Sequence, residues 1–241
     1  MLLSVVTLQT AMCQAHQKKR QTTHKKETKT VEPSKPLVRA IDINIDILNP
    51  LLSRSMTPGS SSFEASADVN LQNKWYPIWE TGYAGANYTA NNGTQFNGKS
   101  IFNRIGVNAN LLKGNNDYLL NSILYAGIRI GLSSFSYDIN NIVIQDDYWN
   151  ATSLINIKNQ HIFAGWGELL AGVRTTVFNN INMGWSVRLK LFLKTGKTAY
   201  RPWYIPGYGK TGGSAWGFTY TVGYTIPLNQ KRFIKTSNNN K

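Results

Sequence analysis

Acid–base chemistry in this chain would depend on one histidine, because His161 is the only histidine beyond residue 24. Ser133 and Ser134 could lie nearby, and a nucleophilic serine needs such a base. Three carboxylates could orient the imidazole: Asp138, Asp146 and Asp147. Nothing in the spacing requires this grouping, and a lone histidine is more often a bystander. We therefore predict no catalytic residue, and a hydrolytic site at His161 is the alternative.

Metal and cofactor chemistry has even less support in the sequence. The carboxylates of Asp146 and Asp147 are adjacent, which is not the spacing of a calcium loop. One cysteine and three histidines make a structural zinc site improbable. The chain also has no glycine-rich loop that could cradle phosphate, so we expect no metal and no cofactor.

Alternation of polar and apolar residues from Val38 onward predicts an all-β fold. Residues 41–47 read IDINIDI, which places four isoleucines on one face of a strand and three polar side chains on the other. Seven further segments alternate in the same way: residues 63–72, 75–83, 101–112, 120–137, 161–177, 182–194 and 216–227. Most are long enough to cross a membrane as tilted strands.

The links between the eight segments alternate between short and long. The short links are residues 72–74, 114–117 and 179–181, and the long links are 49–62, 84–100, 138–160 and 195–215. This pattern is typical of outer-membrane barrels, with short periplasmic turns and long extracellular loops. We predict an eight-stranded antiparallel transmembrane β-barrel over residues 38–229, with both termini in the periplasm.

Charged residues occupy the polar face of these segments, with both signs nearly balanced. We predict that they form an interior charge network: Asp42, Asp46, Glu64, Asp68, Glu80, Arg104, Arg129, Glu168, Arg174, Arg188 and Lys190. An eight-stranded barrel has an interior that side chains can fill. Such a network would plug the barrel, which makes a narrow pore the weaker alternative, and a soluble barrel with these charges outside is a further one.

Aromatic residues favour two further predictions. We expect Trp75, Tyr118, Phe178 and Trp185 to form a belt beside the short turns, and Tyr83, Phe135, Phe163, Trp203 and Trp216 to form one beside the long loops. The loop sequence PWYIPGYG, residues 202–209, could present Trp203, Tyr204 and Tyr208 as a platform for sugar or protein. The alternative is a loop that folds over the barrel mouth and packs on itself.

Composition argues against a helical membrane protein, and the first residues support an envelope location. Charged residues make up only 16% of the 241 residues, and no apolar run reaches the length of a membrane helix. Residues 1–15 resemble a signal peptide, which could begin upstream of Met1 because no basic residue precedes the apolar run. Cys13 would be removed with it or, alternatively, carry a lipid, although Met12 stands where a small residue is normally required.

The net charge of +14 is concentrated at the chain ends. Residues 16–37 carry seven basic against two acidic side chains and are predicted to be a disordered linker, and residues 230–241 form a basic tail with four basic side chains. Solvated tails are the usual role of such ends, so we expect no nucleic-acid partner. The ends could alternatively contact envelope proteins or the cell wall through their charge.

Four stretches carry a family resemblance. FEASADVNLQNKWYPIWETGY, LYAGIRIGLSSFSYD, AGVRTTVFNNINMGWSVRLK and PWYIPGYG resemble an uncharacterised family of outer-membrane β-barrel proteins from Bacteroidota, which is defined by a domain of unknown function. The resemblance covers residues 38–228. It implies an outer-membrane barrel with a cleaved signal peptide, and it implies no reaction, ligand or catalytic residue.

These observations together predict a non-enzymatic structural or interaction protein of the bacterial envelope. Its partners would be outer-membrane lipid and other envelope components. An enzyme that acts on envelope lipid or protein through His161 is the first alternative, and a narrow pore is the second.

Overall fold

The structure, a computed structural model, describes residues 37–51, 59–112, 122–146, 151–196, 200–212 and 216–228. The predicted signal peptide, the basic tail and all of the linker except Leu37 lie outside these residues. Within the described ranges, no helix has both the length and the apolar character needed to cross a membrane.

Eight long strands form the body of the molecule, and two very short ones lie in a loop. The strands are β1 (Val38–Asp46), β2 (Ser60–Leu71), β3 (Trp75–Thr89), β4 (Gln95–Asn110), β5 (Ser122–Asp146), β6 (Ala151–Phe178), β7 (Ile181–Thr195), β8 (Tyr204–Ile205), β9 (Gly209–Lys210) and β10 (Trp216–Pro227). The eight long strands close into a barrel in the order β1-β10-β7-β6-β5-β4-β3-β2, and every neighbouring pair is antiparallel. The predicted eight-stranded antiparallel barrel is confirmed.

The period-two pattern sorts side chains between the two faces of this closed sheet. Ile105 and Ile128 point outward and are 65% and 58% exposed. The charged residues at alternate positions point inward, and Arg104 and Arg129 are 1% and 4% exposed. The barrel is therefore apolar outside and charged inside.

The prediction of long loops is wrong for two of the four long links, residues 84–100 and 138–160, because the strands continue through most of each. β3 and β4 pair as far as Thr89 and Gln95, and β5 and β6 pair as far as Asp146 and Ala151. Asparagine, glycine and threonine replace apolar residues at the ends of β3 and β4, whereas at the ends of β5 and β6 apolar residues stand side by side, as in residues 142–144. In both hairpins the alternation is lost although the hydrogen-bond ladder continues. Between β1 and β2 the described residues 48–51 form one helical turn, and the link between β7 and β10 contains the β8–β9 pair.

The ladder between β5 and β6 has register shifts between Tyr137 and Ile142. Asn141 and Asn159 lie within this irregular region and have positive φ angles of 58° and 54°, a conformation that asparagine tolerates better than most residues. Such bulges bend a strand pair and often lie beside functional sites. We call the end of the barrel with this hairpin the hairpin end, and the end with the turns after β2 and β6 the short-turn end.

Residues 202–211, which we call the plug loop, fold into the hairpin end of the barrel. The loop is closed by hydrogen bonds from the Thr211 amide and hydroxyl to the carbonyls of Trp203 and Pro202, at 2.8 and 2.7 Å. Ile205 is completely buried and packs in a cluster with Phe102 and Trp166 from the barrel wall. The loop therefore covers the lumen and forms its apolar layer.

Candidate functional site

The lumen below the plug loop contains a network of three arginines and three glutamates. Arg104 on β4 is central to it. Its Nη1 lies 2.8 Å from Glu64 Oε2 and 3.1 Å from Glu80 Oε2, and its Nε lies 3.0 Å from Glu168 Oε1. These carboxylates come from β2, β3 and β6, so one guanidinium connects four strands around the barrel.

Glu80 forms ion pairs with the other two arginines of the network, Arg129 and Arg188. Arg188 Nη1 lies 2.7 Å from its Oε2, and Arg129 Nε lies 3.2 Å from its Oε1. Arg188 also reaches Glu168 at 3.3 Å. Because β3 and β7 are not neighbours in the barrel, the contact between Arg188 and Glu80 crosses the lumen and fills it.

A smaller cluster lies nearer the short-turn end. Arg174 Nη1 donates to Asp68 Oδ2 at 2.6 Å, and its Nη2 donates to Asp68 Oδ1 at 3.0 Å and lies 3.1 Å from Asp42 Oδ2. The Asp42 carboxylate also accepts hydrogen bonds from Thr225 and Asn182. The cluster thus compensates two buried carboxylates with one cation and neutral donors.

Two of the eleven predicted network residues have other contacts. Asp46 accepts hydrogen bonds from the Leu48 amide at 2.9 Å and the Asn49 side chain at 2.6 Å, so it caps the turn that follows β1. Lys190 Nζ donates to the carbonyls of Gly207 and Tyr208, both at 3.0 Å. The structure therefore brings nine of the eleven into the two ion-pair clusters and uses Lys190 to hold the plug loop.

The plug loop is fastened to the network at Gly207. Arg104 Nη2 donates to the Gly207 carbonyl at 2.9 Å, beside the bond from Lys190. Gly207 has a φ of 83°, and a side chain here would lie 2.5 Å from the Phe102 ring. Burial, together with the charge of Glu64, raises the pKa of Tyr204 above its ordinary value, so this hydroxyl stays protonated beside the network.

The predicted aromatic platform is not formed on one surface. Tyr204 is buried, Trp203 stacks on Tyr88 with ring centroids 4.3 Å apart, and Tyr208 packs edge-on against Phe192 at 5.3 Å. The three side chains point to different neighbours because the loop folds into the barrel mouth. The structure matches the alternative prediction, a loop that folds over the barrel mouth.

The lumen retains little free volume. One polar cavity of about 30 Å³ lies between the two clusters, and another of about 40 Å³ lies beside Arg174 at the short-turn end. Each has room for one or two water molecules with polar partners. Ions would have to displace the charged side chains and the plug loop in order to pass.

We therefore expect no steady conductance when the protein is reconstituted in a planar bilayer at 1 M salt. The filled lumen provides the physical reason, since eight strands enclose only enough space for side chains. A variant lacking residues 202–211 should conduct only in brief events, because the Arg104 network remains below the loop. Stable open channels in the unaltered protein would contradict this description of the lumen.

The residues of the alternative hydrolytic site, His161 and its serine neighbour, lie on the outer surface near the hairpin end. Ser134 Oγ is 3.2 Å from His161 Nε2, and both side chains are exposed. Ser133 points into the barrel instead and is buried, so it is not the neighbour of the histidine. Asp138 is close in the same ladder, its Oδ1 accepting the Asn159 amide at 2.6 Å. The side chain of Asp146 and the whole of Asp147 lie outside the described residues.

Within the part of the chain that the structure describes, no three histidine, cysteine, aspartate or glutamate side chains are grouped to hold a metal ion. One steric feature of the lumen was not predicted from the sequence. Gly131 lies opposite the buried Trp166, and a β-carbon there would lie 2.3 Å from the indole. A glycine opposite a tryptophan on the polar face was the signal available in the sequence.

Comparisons with known proteins identify a family and a distant structural match. A family model described as "Domain of unknown function (DUF6048)" matches residues 1–231. No curated protein matches the sequence. Among solved structures, the chain is similar to Ail, the attachment invasion locus protein of Yersinia pestis, solved in complex with the heparin analogue sucrose octasulfate. That similarity has a TM-score of 0.38 and 9% sequence identity, and covers 78% of this chain and 98% of that one.

Proposed function

Because this chain belongs to the family defined by the domain of unknown function DUF6048, a membership that assigns no reaction, we propose its role from its own surface. The proposal is a structural or interaction barrel of a bacterial outer membrane, in a member of the Bacteroidota as the sequence resemblance implies. Its lumen is plugged and transports nothing.

The observation that carries this proposal is the apolar outer face of the barrel. Large exposed side chains point outward from each of the eight long strands, for example Ile45, Phe63, Trp79, Ile105, Ile130, Leu169, Trp185 and Phe218. A continuous apolar surface of this kind is rare on soluble proteins but is what the acyl chains of a bilayer solvate. A soluble barrel would place the charges outside and the isoleucines inside, which is the opposite arrangement.

Aromatic residues mark two levels on this face. Trp75, Phe178 and Trp185 are exposed near the short-turn end, and Tyr83, Phe163 and Trp216 are exposed towards the hairpin end. Their positions suit the two membrane interfaces. Two predicted belt residues do not contribute, because Phe135 is buried in the lumen and Trp203 belongs to the plug loop. Tyr118 lies outside the described residues.

Insertion can be tested by heat modifiability. A barrel whose backbone hydrogen bonds are all satisfied between strands resists detergent until it is boiled. Unheated and boiled samples, purified in mild detergent or reconstituted in vesicles, should therefore run at different positions on a denaturing gel. Identical positions, or recovery of the protein in the soluble fraction after a carbonate wash of membranes, would contradict the proposal.

The proposed orientation places both termini and the short turns in the periplasm. Lys158 on β6 and Lys210 in the plug loop are exposed at the hairpin end, and Lys74 is exposed in a short turn. Trypsin added to intact cells should cut first after Lys158, with Lys210 and Lys197 as further sites, although Lys197 lies outside the described residues. Cleavage after Lys74 or Lys113 on intact cells would show the opposite orientation. Lys113, like Lys197, lies outside the described residues.

The basic ends, residues 16–36 and 230–241, lie outside the described residues, and their role belongs to the proposal as well. Their charge could attract the acidic groups of envelope proteins or of the cell wall, and such contacts weaken as salt rises. Removing both ends while keeping the signal peptide and the barrel should reduce the partners recovered from native membranes at low salt. Unchanged recovery would assign the ends no docking role.

A further inference from the structure

We propose that Ser134, His161 and Asp138 form an ester-hydrolysing site on the outer face of the barrel, and that its substrates are lipids with ester-linked acyl chains. The inference rests on the proposed insertion into a membrane. It takes up the alternative that the sequence left open at His161 and replaces the expectation that the protein has no activity.

The strand register aligns the three side chains on one face. His161 on β6 is paired with Ser136 on β5, so Ser134 and Asp138 lie diagonally on either side of the imidazole, within reach of long side chains. Ser134 Oγ is 3.2 Å from Nε2, the distance of a nucleophile and its general base. Nε2 accepts the serine proton in the tautomer that carries its proton on Nδ1.

The bulge in the ladder fixes the carboxylate of Asp138. The Asn159 amide, turned by its positive φ of 54°, donates to Asp138 Oδ1 at 2.6 Å. The same bulge is the irregularity that bends the hairpin beside His161. The register places Asp138 on the side of His161 opposite Ser134, and its carboxylate bonds Asn159 rather than the imidazole in this structure. As the positioning residue it would close on Nδ1 in the substrate complex, where catalytic hydrogen bonds tighten.

The surroundings match an amphiphilic substrate. Ser134, His161 and Asp138 line an open depression of about 540 Å³ together with Lys99 and Ser100. Lys99, Ser136 and His161 form one row across β4, β5 and β6. This row offers a cation, one hydroxyl and an imidazole to an anionic headgroup.

Apolar side chains begin immediately below the row. Phe163 is paired with Ser134, and Ile101 and Leu132 are also exposed on this side of the barrel. They are part of the outer face that we propose contacts acyl chains. The serine therefore lies at the boundary between polar and apolar surface, which is the level of the ester bonds of a membrane lipid.

The reaction that these groups support has two steps. The hydroxyl of Ser134 gives its proton to His161 and its oxygen bonds to the ester carbonyl carbon. The tetrahedral intermediate then releases the lipid alcohol, which takes the proton back from His161 and leaves an acyl-serine. Water, deprotonated by His161, attacks the acyl-serine, so the products are one fatty acid and one deacylated lipid, and the serine is restored. Lys99 is the side chain available to stabilise the oxyanion, since the Ser100 hydroxyl donates to the Ser134 carbonyl at 2.7 Å.

The test uses the full-length protein in vesicles of ester-linked phosphatidylethanolamine and phosphatidylglycerol. We expect release of fatty acid, and labelling of Ser134 by a fluorophosphonate probe. Ser134→Ala should abolish both, and His161→Ala should lower the rate by about 100-fold or more, the scale of a lost general base. Ser153→Ala removes an exposed hydroxyl on β6 outside the depression and serves as the matched control, with a rate within twofold of the unaltered protein. Vesicles of ether-linked lipids should release nothing.

The outcomes separate this inference from the proposed function. Protein that inserts and is heat-modifiable but neither releases fatty acid nor reacts with the probe overturns the hydrolytic site and leaves the barrel proposal standing. Release that persists in Ser134→Ala overturns the assignment of the nucleophile. Labelling of Ser134 without release overturns the lipid-ester substrate. Failure to insert contradicts the proposed function itself.

Discussion

Arg104→Met should lower the free energy of unfolding by about 3–5 kcal/mol, the cost of removing one partner from a buried charge cluster. The guanidinium of Arg104 lies within 3.1 Å of Glu64, Glu80 and Glu168 and donates to the Gly207 carbonyl. Methionine retains much of the volume but none of the charge. Glu64 would then lose its arginine partner, and the plug loop would lose one of its two cationic contacts at Gly207.

The measurement is the urea concentration at which half of the barrel in vesicles is unfolded. Unfolding is monitored as loss of the gel band at the position of the unheated, folded protein. Lys158→Met, a change of the same kind at an exposed position on β6, is the matched control and should leave the midpoint almost unchanged. Equal midpoints for Arg104→Met and Lys158→Met would show that the lumen charges do not act as a network.

Ile128→Arg should destabilise the inserted barrel by about 2–4 kcal/mol, the range for a cation on the lipid face near the bilayer midplane. Ile128 is 58% exposed on β5, among other outward apolar residues such as Ile105 and Ile130. In water the same change at an exposed position would cost little. A large penalty therefore depends on hydrocarbon surrounding this side chain.

Ile144→Arg is the matched control for this prediction. Ile144 is 46% exposed and lies on the same strand, in the β5–β6 hairpin near its tip at the hairpin end of the barrel. Its replacement should change the folded fraction in vesicles only slightly. If both variants fold and insert equally well, the outer face of the barrel is not in contact with lipid.

The strand count and the two faces could be predicted from the sequence, because a period of two assigns every side chain of a strand to one face. Ile41, Ile43 and Ile45 alternate with Asp42, Asn44 and Asp46, and the structure separates them accordingly into outward and inward sets. Alternation is a local property, which an uninterrupted pattern specifies without knowledge of distant contacts. Closure was predicted only from the likeness of the link pattern to that of outer-membrane barrels.

The partners within the lumen could not be predicted in the same way. Arg188 and Glu80 are 108 residues apart and meet across the barrel, a contact that depends on closure and stagger rather than on either segment alone. The engagement of Lys190 with the plug loop has the same origin, because the loop enters the lumen only once the barrel exists. The ends of β5 and β6 were missed because apolar residues there stand side by side, as in residues 142–144, and do not alternate with polar ones.

Quenching of single-tryptophan variants by lipids brominated on the acyl chains tests the central claim most directly. Trp79 is 53% exposed on the outer face, and Trp166 is completely buried in the lumen. One variant keeps only Trp79 and the other keeps only Trp166, with phenylalanine at the remaining tryptophan positions. In brominated vesicles, the fluorescence of Trp79 should be strongly quenched and that of Trp166 much less. Equal quenching of the two, or none at Trp79, would contradict a barrel whose apolar face lies in the membrane around a closed, charged lumen.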